Sequence, residues 1–105
     1  MLSTCFLLAS LAGQTARAQE SSYSLTILNG KFEPATLQVK AGAKIKLTVS
    51  NKGTETAEFE SEELHREKIV RPGASVEIYV GPLAPGTYPF FDDFDDKNRG
   101  QIVAK

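Results

Sequence analysis

Two groups of carboxylates carry most of the chemistry this sequence can offer. Glu58, Glu60, Glu62 and Glu63 crowd one stretch, and Asp92, Asp93, Asp95 and Asp96 fall within five residues of another. Oxygen donors at that density favour hard or borderline cations such as iron, manganese, calcium or magnesium over soft Cu(I). The one histidine, His65, could add an imidazole and make a mixed nitrogen and oxygen site of the kind iron accepts. These carboxylates and His65 are the candidate metal ligands, with Glu58, Glu60, His65, Asp92, Asp93 and Asp95 among them. If folding brings both segments to one end of the molecule, their charge calls for a cation or a basic partner. The plain alternative is a solvated acidic face, with the aspartate loop offset by Lys97 and Arg99.

The scarce residues exclude a good deal. The chain of 105 residues holds one Cys, one Met, one His and no Trp, at 41% apolar and 24% charged, with a net charge of −1. That size fits a single domain. The charge balance leaves no footprint for nucleic acid. Residues 1–18 contain a short apolar run from Cys5 to Leu11, below the roughly 20 residues needed to span a bilayer, and end in Ala16-Arg17-Ala18. This predicts a cleavable signal peptide over residues 1–18 and an exported domain over residues 19–105 that is not an integral membrane protein. After cleavage no sulfur remains, which removes disulfides, Cys-rich zinc sites, thiol nucleophiles and iron–sulfur clusters. Neither a nucleophile elbow nor a phosphate-cradling glycine loop is present, so no hydrolase or transferase signature emerges.

Short alternating runs separated by Gly, Pro and Asn must position the carboxylates. Tyr23-Leu25-Ile27, Leu37-Val39, Ile45-Leu47-Val49, Ala57-Phe59, Val76-Ile78-Val80, Tyr88-Phe90 and Ile102-Ala104 each keep the period of two that a half-buried strand requires. Turn signals at Ala41-Gly42, Arg71-Pro72-Gly73 and Pro85-Gly86 punctuate them. The pattern predicts an all-β sandwich of seven or eight strands, with room for one helical turn between Ser61 and Glu67. Alternation also puts Ala57 and Phe59 on one face and Glu58 and Glu60 on the other.

The segment FEPATLQVKAGAKIKLTVSNKG, Phe32 to Gly53, resembles the opening of a cupredoxin domain, and Gly81-Pro82-Leu83 with Pro85-Gly86-Thr87-Tyr88 resembles its later strand–turn–strand segment. The resemblance implies a cupredoxin-like Greek-key β-sandwich. Blue-copper members hold the metal with two His, a Cys and a weak axial Met. Here the alignment of motifs puts Ala57 at the first His place, Asp92 at the Cys place and Asp95 at the second His place. A blue-copper site is therefore not expected, and copper ranks below iron.

More narrowly, AEFESEELHREKIVRPG (Ala57 to Gly73) and VGPLAPGTYPFFDDF (Val80 to Phe94) resemble the periplasmic cupredoxin-like component of bacterial ferrous-iron uptake systems. The resemblance implies a periplasmic protein that binds or oxidises iron, with Glu58, Glu60, Asp92 and Asp93 in the motif positions. The implied partners are a periplasmic iron-binding protein and an inner-membrane iron permease. Asp95-Asp96 departs from the His-Pro often found there, which weakens the case for copper-assisted oxidation more than that for iron binding. A homodimer that completes the coordination sphere, a metal-free domain docking through its acidic end, and a ferroxidase in its own right are the other expectations.

Overall fold

The computed structural model describes residues 20–105, so the expected signal segment 1–18, with Cys5, lies outside the described residues. Nine strands form two sheets: β1 (Glu20–Leu28), β2 (Lys31–Glu33), β3 (Thr36–Val39), β4 (Lys44–Asn51), β5 (Ala57–Ser61), β6 (Arg66–Val70), β7 (Ser75–Val80), β8 (Gly86–Asp92) and β9 (Asp95–Ala104). One sheet runs β2-β1-β4-β7 and the other β3-β9-β8-β5-β6. The chain changes sheet between β2 and β3, β3 and β4, β4 and β5, β6 and β7, and β7 and β8, giving the crossovers of a sandwich. Most neighbours are antiparallel, but β1 pairs with β4 and β3 with β9 in parallel.

The all-β expectation holds, with two strands more than the alternating runs marked. β2 spans only three residues, and β6 buries only Val70 of its five, so neither shows an alternating signature. β6 is instead an edge strand zipped to β5 from Ala57↔Val70 to Ser61↔Arg66. Between them residues 62–65 form a tight turn rather than a helical one, and His65 takes a positive φ of 54° there.

Inward residues of both sheets make one core, with Leu25, Leu47, Val49, Phe59, Val70 and Ile102 fully buried. Phe59 and Phe90 stack at 5.1 Å between centroids, and Phe32 meets both edge-on at 6.4 and 4.8 Å. Such pairs add to burial, because ring edges and faces carry opposite partial charge. This trio fixes β5 against β8, the two strands that carry the acidic groups.

Gly100 shows how closely β9 packs here. A Cβ at this position would lie 2.5 Å from Phe90 Cζ and 2.7 Å from the Ala35 backbone oxygen. Phe90 is wedged in the core and the oxygen belongs to the backbone, so neither can retreat freely. Gly100→Ala is expected to destabilise the domain by about 1–3 kcal/mol, the usual cost of overpacking. Urea unfolding should show a lower midpoint at unchanged slope.

Candidate metal centre

Strand β5 sets the geometry of the acidic site. Ala57, Phe59 and Ser61 point into the core, which leaves Glu58 and Glu60 half-buried on the outer face of the sheet. Side chains two apart on one strand share a face. Across the ladder Glu60 pairs with Glu67 on β6 and with Phe91 on β8. Where β8 ends, Asp93 turns its carboxylate to the same face. Carboxylate oxygens of Glu58, Glu60 and Asp93 lie within 4.8 Å of one another, close enough to share one cation.

This convergence raises the proton affinity of the strand glutamates. Glu58 is held above the ordinary glutamate range first by partial desolvation against the sheet, then by the charge of Glu67 and by a hydrogen bond that its protonated form can share with Asp93. Desolvation again leads for Glu60, followed by the charges of Asp93 and Glu67. Among the described residues no ion pair offsets the three carboxylates; the salt bridge found joins Lys46 to Glu77, at 3.2 Å, on the other sheet. Arg99 lies over the Phe91 ring at 5.2 Å, a cation–π contact rather than an ion pair.

A pH dependence follows. Because Glu58 and Glu60 bind protons more tightly in the folded chain than when unfolded, they favour folding at low pH and lose that contribution as pH rises through their raised values. Glu77 works in the opposite sense: the Tyr79 hydroxyl first, and then Lys46, hold its carboxyl below the ordinary range, so its contribution is lost on acidification. Glu58→Gln with Glu60→Gln is expected to raise the unfolding temperature of the metal-free protein at pH 7. It should also flatten its change between pH 7 and about 4.3, the ordinary glutamate value. Thermal melts across that range check both.

The other expected ligands are placed differently. Asp92 is buried at 5% exposure, and its Oδ1 accepts the backbone N–H of Glu58 at 2.9 Å and that of Phe94 at 3.0 Å. That oxygen faces inward, away from the outer-face trio. Asp95 is exposed at the start of β9, with Oδ2 near Gly30, and lines the pocket at the end of the sandwich. His65 sits on the β5–β6 turn, where its N–H donates to Glu62 O at 3.1 Å, and shares a shallow hollow with Glu60 and Glu67. The three-carboxylate group includes neither it nor Asp95.

Ala57, Asp92 and Asp95, the positions that the resemblance assigns to blue-copper ligands, do meet in one pocket beside Asn51, Gly53 and Phe94. Their donor set is a methyl group and two carboxylates, one of them bound to backbone amides. It offers neither thiolate nor imidazole, so a blue-copper ion does not fit there.

Ser61 gave no sign of its role in the sequence, and Asn51 showed there only as the start of the Asn-Lys-Gly turn that leads into β5. Buried Asn51 donates through Nδ2 to Glu55 O at 2.7 Å and Val70 O at 2.9 Å, and accepts Gly53 N–H at 2.9 Å, fixing the loop that enters β5. Ser61 Oγ donates to Pro89 O at 2.7 Å and accepts Leu64 N–H at 3.2 Å, tying the β5–β6 turn to β8. Burying a polar side chain is tolerable only when it is bonded in this way.

Known proteins share this architecture. A family model described as Cupredoxin-like domain matches residues 1–104. An uncharacterized protein of Rickettsia prowazekii (strain Madrid E) is 44% identical over 80 residues, which is 75% of this chain; the match spans only 64% of that relative's length. Among solved structures, the Novel Purple Cupredoxin from Nitrosopumilus maritimus superposes with a TM-score of 0.64 at 16% identity, covering 78% of this chain and 98% of that one. The metal-binding domain, with Cu(I), of the Cu(I)-exporting P-type ATPase CopA from Streptococcus pneumoniae D39 gives 0.72 at 14% identity, covering 85% and 89%. At such identities these two structures speak for the fold alone.

Proposed function

The chain belongs to the cupredoxin-like domain family, and from that premise we propose that it is an exported, periplasmic accessory protein of iron uptake that takes Fe(II) as cargo on its outer acidic face. The observation that carries this reading is the convergence of the Glu58, Glu60 and Asp93 carboxylates within 4.8 Å on the outer face of the sheet. Three oxygens select a hard or borderline divalent ion, and their negative charge stabilises Fe(III) more than Fe(II). The site therefore favours oxidation of bound Fe(II), with the electron passing to dioxygen or to a redox partner. Water or a second copy of the chain completes the coordination. No helix among the described residues is long and apolar enough to cross a membrane. Delivery to an inner-membrane permease, alongside a periplasmic iron-binding protein, is the role the sequence resemblance supports.

A second reading rests on Phe94. It is 57% exposed at the tip of the acidic β8–β9 turn, which suits docking of the acidic end on a basic periplasmic partner without metal.

Anaerobic calorimetric titration of the chelator-stripped domain with Fe(II) separates the two. The iron reading predicts saturation near one ion per chain, and oxidation on admission of air faster than in protein-free buffer. Affinity should weaken with acid, beginning above the ordinary carboxylate range because Glu58 and Glu60 titrate high. No saturable heat with Fe(II) would abandon the iron reading in favour of docking.

A further inference from the structure

Asp92 is the one acidic side chain that is buried among the described residues, and it immediately precedes Asp93 in sequence. Two segments must be held in register for the cluster to exist: β5, which carries Glu58 and Glu60, and the turn after β8, which carries Asp93. Regular pairing between β5 and β8 covers only Phe59↔Asp92 and Glu60↔Phe91, and the β8–β9 ladder shifts register between Phe91 and Asp92. The ordinary sheet therefore ends where the site begins.

Asp92 continues the connection by other means. Its Oδ1 accepts the Glu58 N–H at 2.9 Å and the Phe94 N–H at 3.0 Å, while the Asp93 N–H donates to Glu58 O at 2.9 Å. The backbone of Glu58 is thereby bonded on both its N–H and its C=O to the stretch that bears Asp93. Burial of that acceptor removes competing water, which strengthens both amide hydrogen bonds.

We infer that Asp92 is a positioning residue for the metal centre: its buried carboxylate clamps β5 to the β8–β9 turn and so sets the spacing of Glu58, Glu60 and Asp93. This rests on the iron reading above for what the cluster binds, but the clamp itself is a property of the metal-free chain. Its role differs from the ligand role expected of Asp92 from the sequence. What the clamp requires is an acceptor oxygen at Oδ1. A ligand role would instead need the carboxylate charge for full affinity, since a neutral amide oxygen holds a cation more weakly.

Asp92→Asn and Asp92→Ala separate the two. Asn keeps an acceptor oxygen in the same place, and Ala removes it. The clamp predicts that Asp92→Asn keeps Fe(II) affinity within about 3-fold of the parent, whereas Asp92→Ala loses about 10–100-fold, the usual cost of removing a group that orients metal ligands. Amide exchange of the metal-free proteins, followed by NMR, reads the clamp directly. The Glu58 and Phe94 amides should stay protected in the parent and in Asp92→Asn, and exchange at least about 10-fold faster in Asp92→Ala. Equal loss of affinity in both variants, with those amides still protected in Asp92→Asn, would make Asp92 a ligand and overturn the inference. Unchanged amide protection in Asp92→Ala would also overturn it. If Asp92→Ala does not fold, Asp92→Leu, similar in shape and without an acceptor, takes its place: faster exchange at the Glu58 and Phe94 amides with weakened Fe(II) binding upholds the clamp, and unchanged protection refutes it. A parent protein that binds no Fe(II), but whose amides follow the predicted order, would sink the iron reading and leave the clamp standing.

Discussion

Replacing Glu60 by Gln together with Asp93 by Asn is expected to lower Fe(II) affinity by about 100-fold or more while leaving the fold intact. These two side chains supply two of the three oxygens that converge within 4.8 Å. Loss of a group that merely orients a ligand costs about 10–100-fold, and loss of ligands themselves costs no less. Both changes keep shape and remove charge. Stability should not fall, because relief of repulsion at Glu60, whose carboxyl is held above its ordinary range, favours the fold. The matching control is Glu62→Gln with Glu63→Gln, on the exposed β5–β6 turn, which should leave affinity within about 2-fold. Calorimetric titration of both pairs beside the parent provides the check. Equal affinity in all three would remove the outer face of β5 from the site.

Phe59→Ala should be among the most damaging single changes to the fold, at about 3–5 kcal/mol. Phe59 is fully buried, stacks on Phe90 and takes the edge of Phe32, so its removal leaves a cavity bordered by two more aromatic rings. Domains of this kind hold only about 5–15 kcal/mol in total. The expected result is a large fall in the urea midpoint, and Phe59→Leu should fall by less because it leaves a smaller void. Phe59 also stands between Glu58 and Glu60 in the strand. A loosened β5 therefore predicts weakened Fe(II) binding in Phe59→Ala even under conditions where the protein stays folded. Midpoints for the two variants, read by fluorescence or circular dichroism, test the order.

Much of the architecture was legible because it is written in alternation. The run Ala57-Glu58-Phe59-Glu60-Ser61 assigned its faces before any coordinates, and the structure keeps that assignment. Where strands lack alternation the reading failed: β6 exposes four of its five residues, and β2 is too short to show a period. The candidate site was legible by region and not by residue. Asp92 and Asp93 are neighbours of the same type, yet one turns inward to backbone amides and the other outward to the glutamates. That distinction depends on where β8 ends and how the following turn bends, which composition does not encode. His65 was a candidate because it is the one imidazole, but its place on a tight turn is governed by the β5–β6 hairpin rather than by the aspartates. Glu67 was no ligand candidate in the sequence, since only the pairing with Glu60 makes it part of the acidic field.

The proposed cation lies on the outer face of the sheet at Glu58, Glu60 and Asp93, rather than in the pocket that Asp92 and Asp95 line at the end of the sandwich. Paramagnetic line broadening by Mn(II), a hard divalent ion suited to the same oxygens, locates a bound ion directly. Substoichiometric Mn(II) added to isotopically labelled protein should first broaden the amides of Glu58, Glu60, Glu67 and Asp93, leaving Gly30 and Gly53 at the pocket sharp. Broadening centred on Gly30, Gly53 and Asp95, or none at stoichiometric metal, would contradict the account.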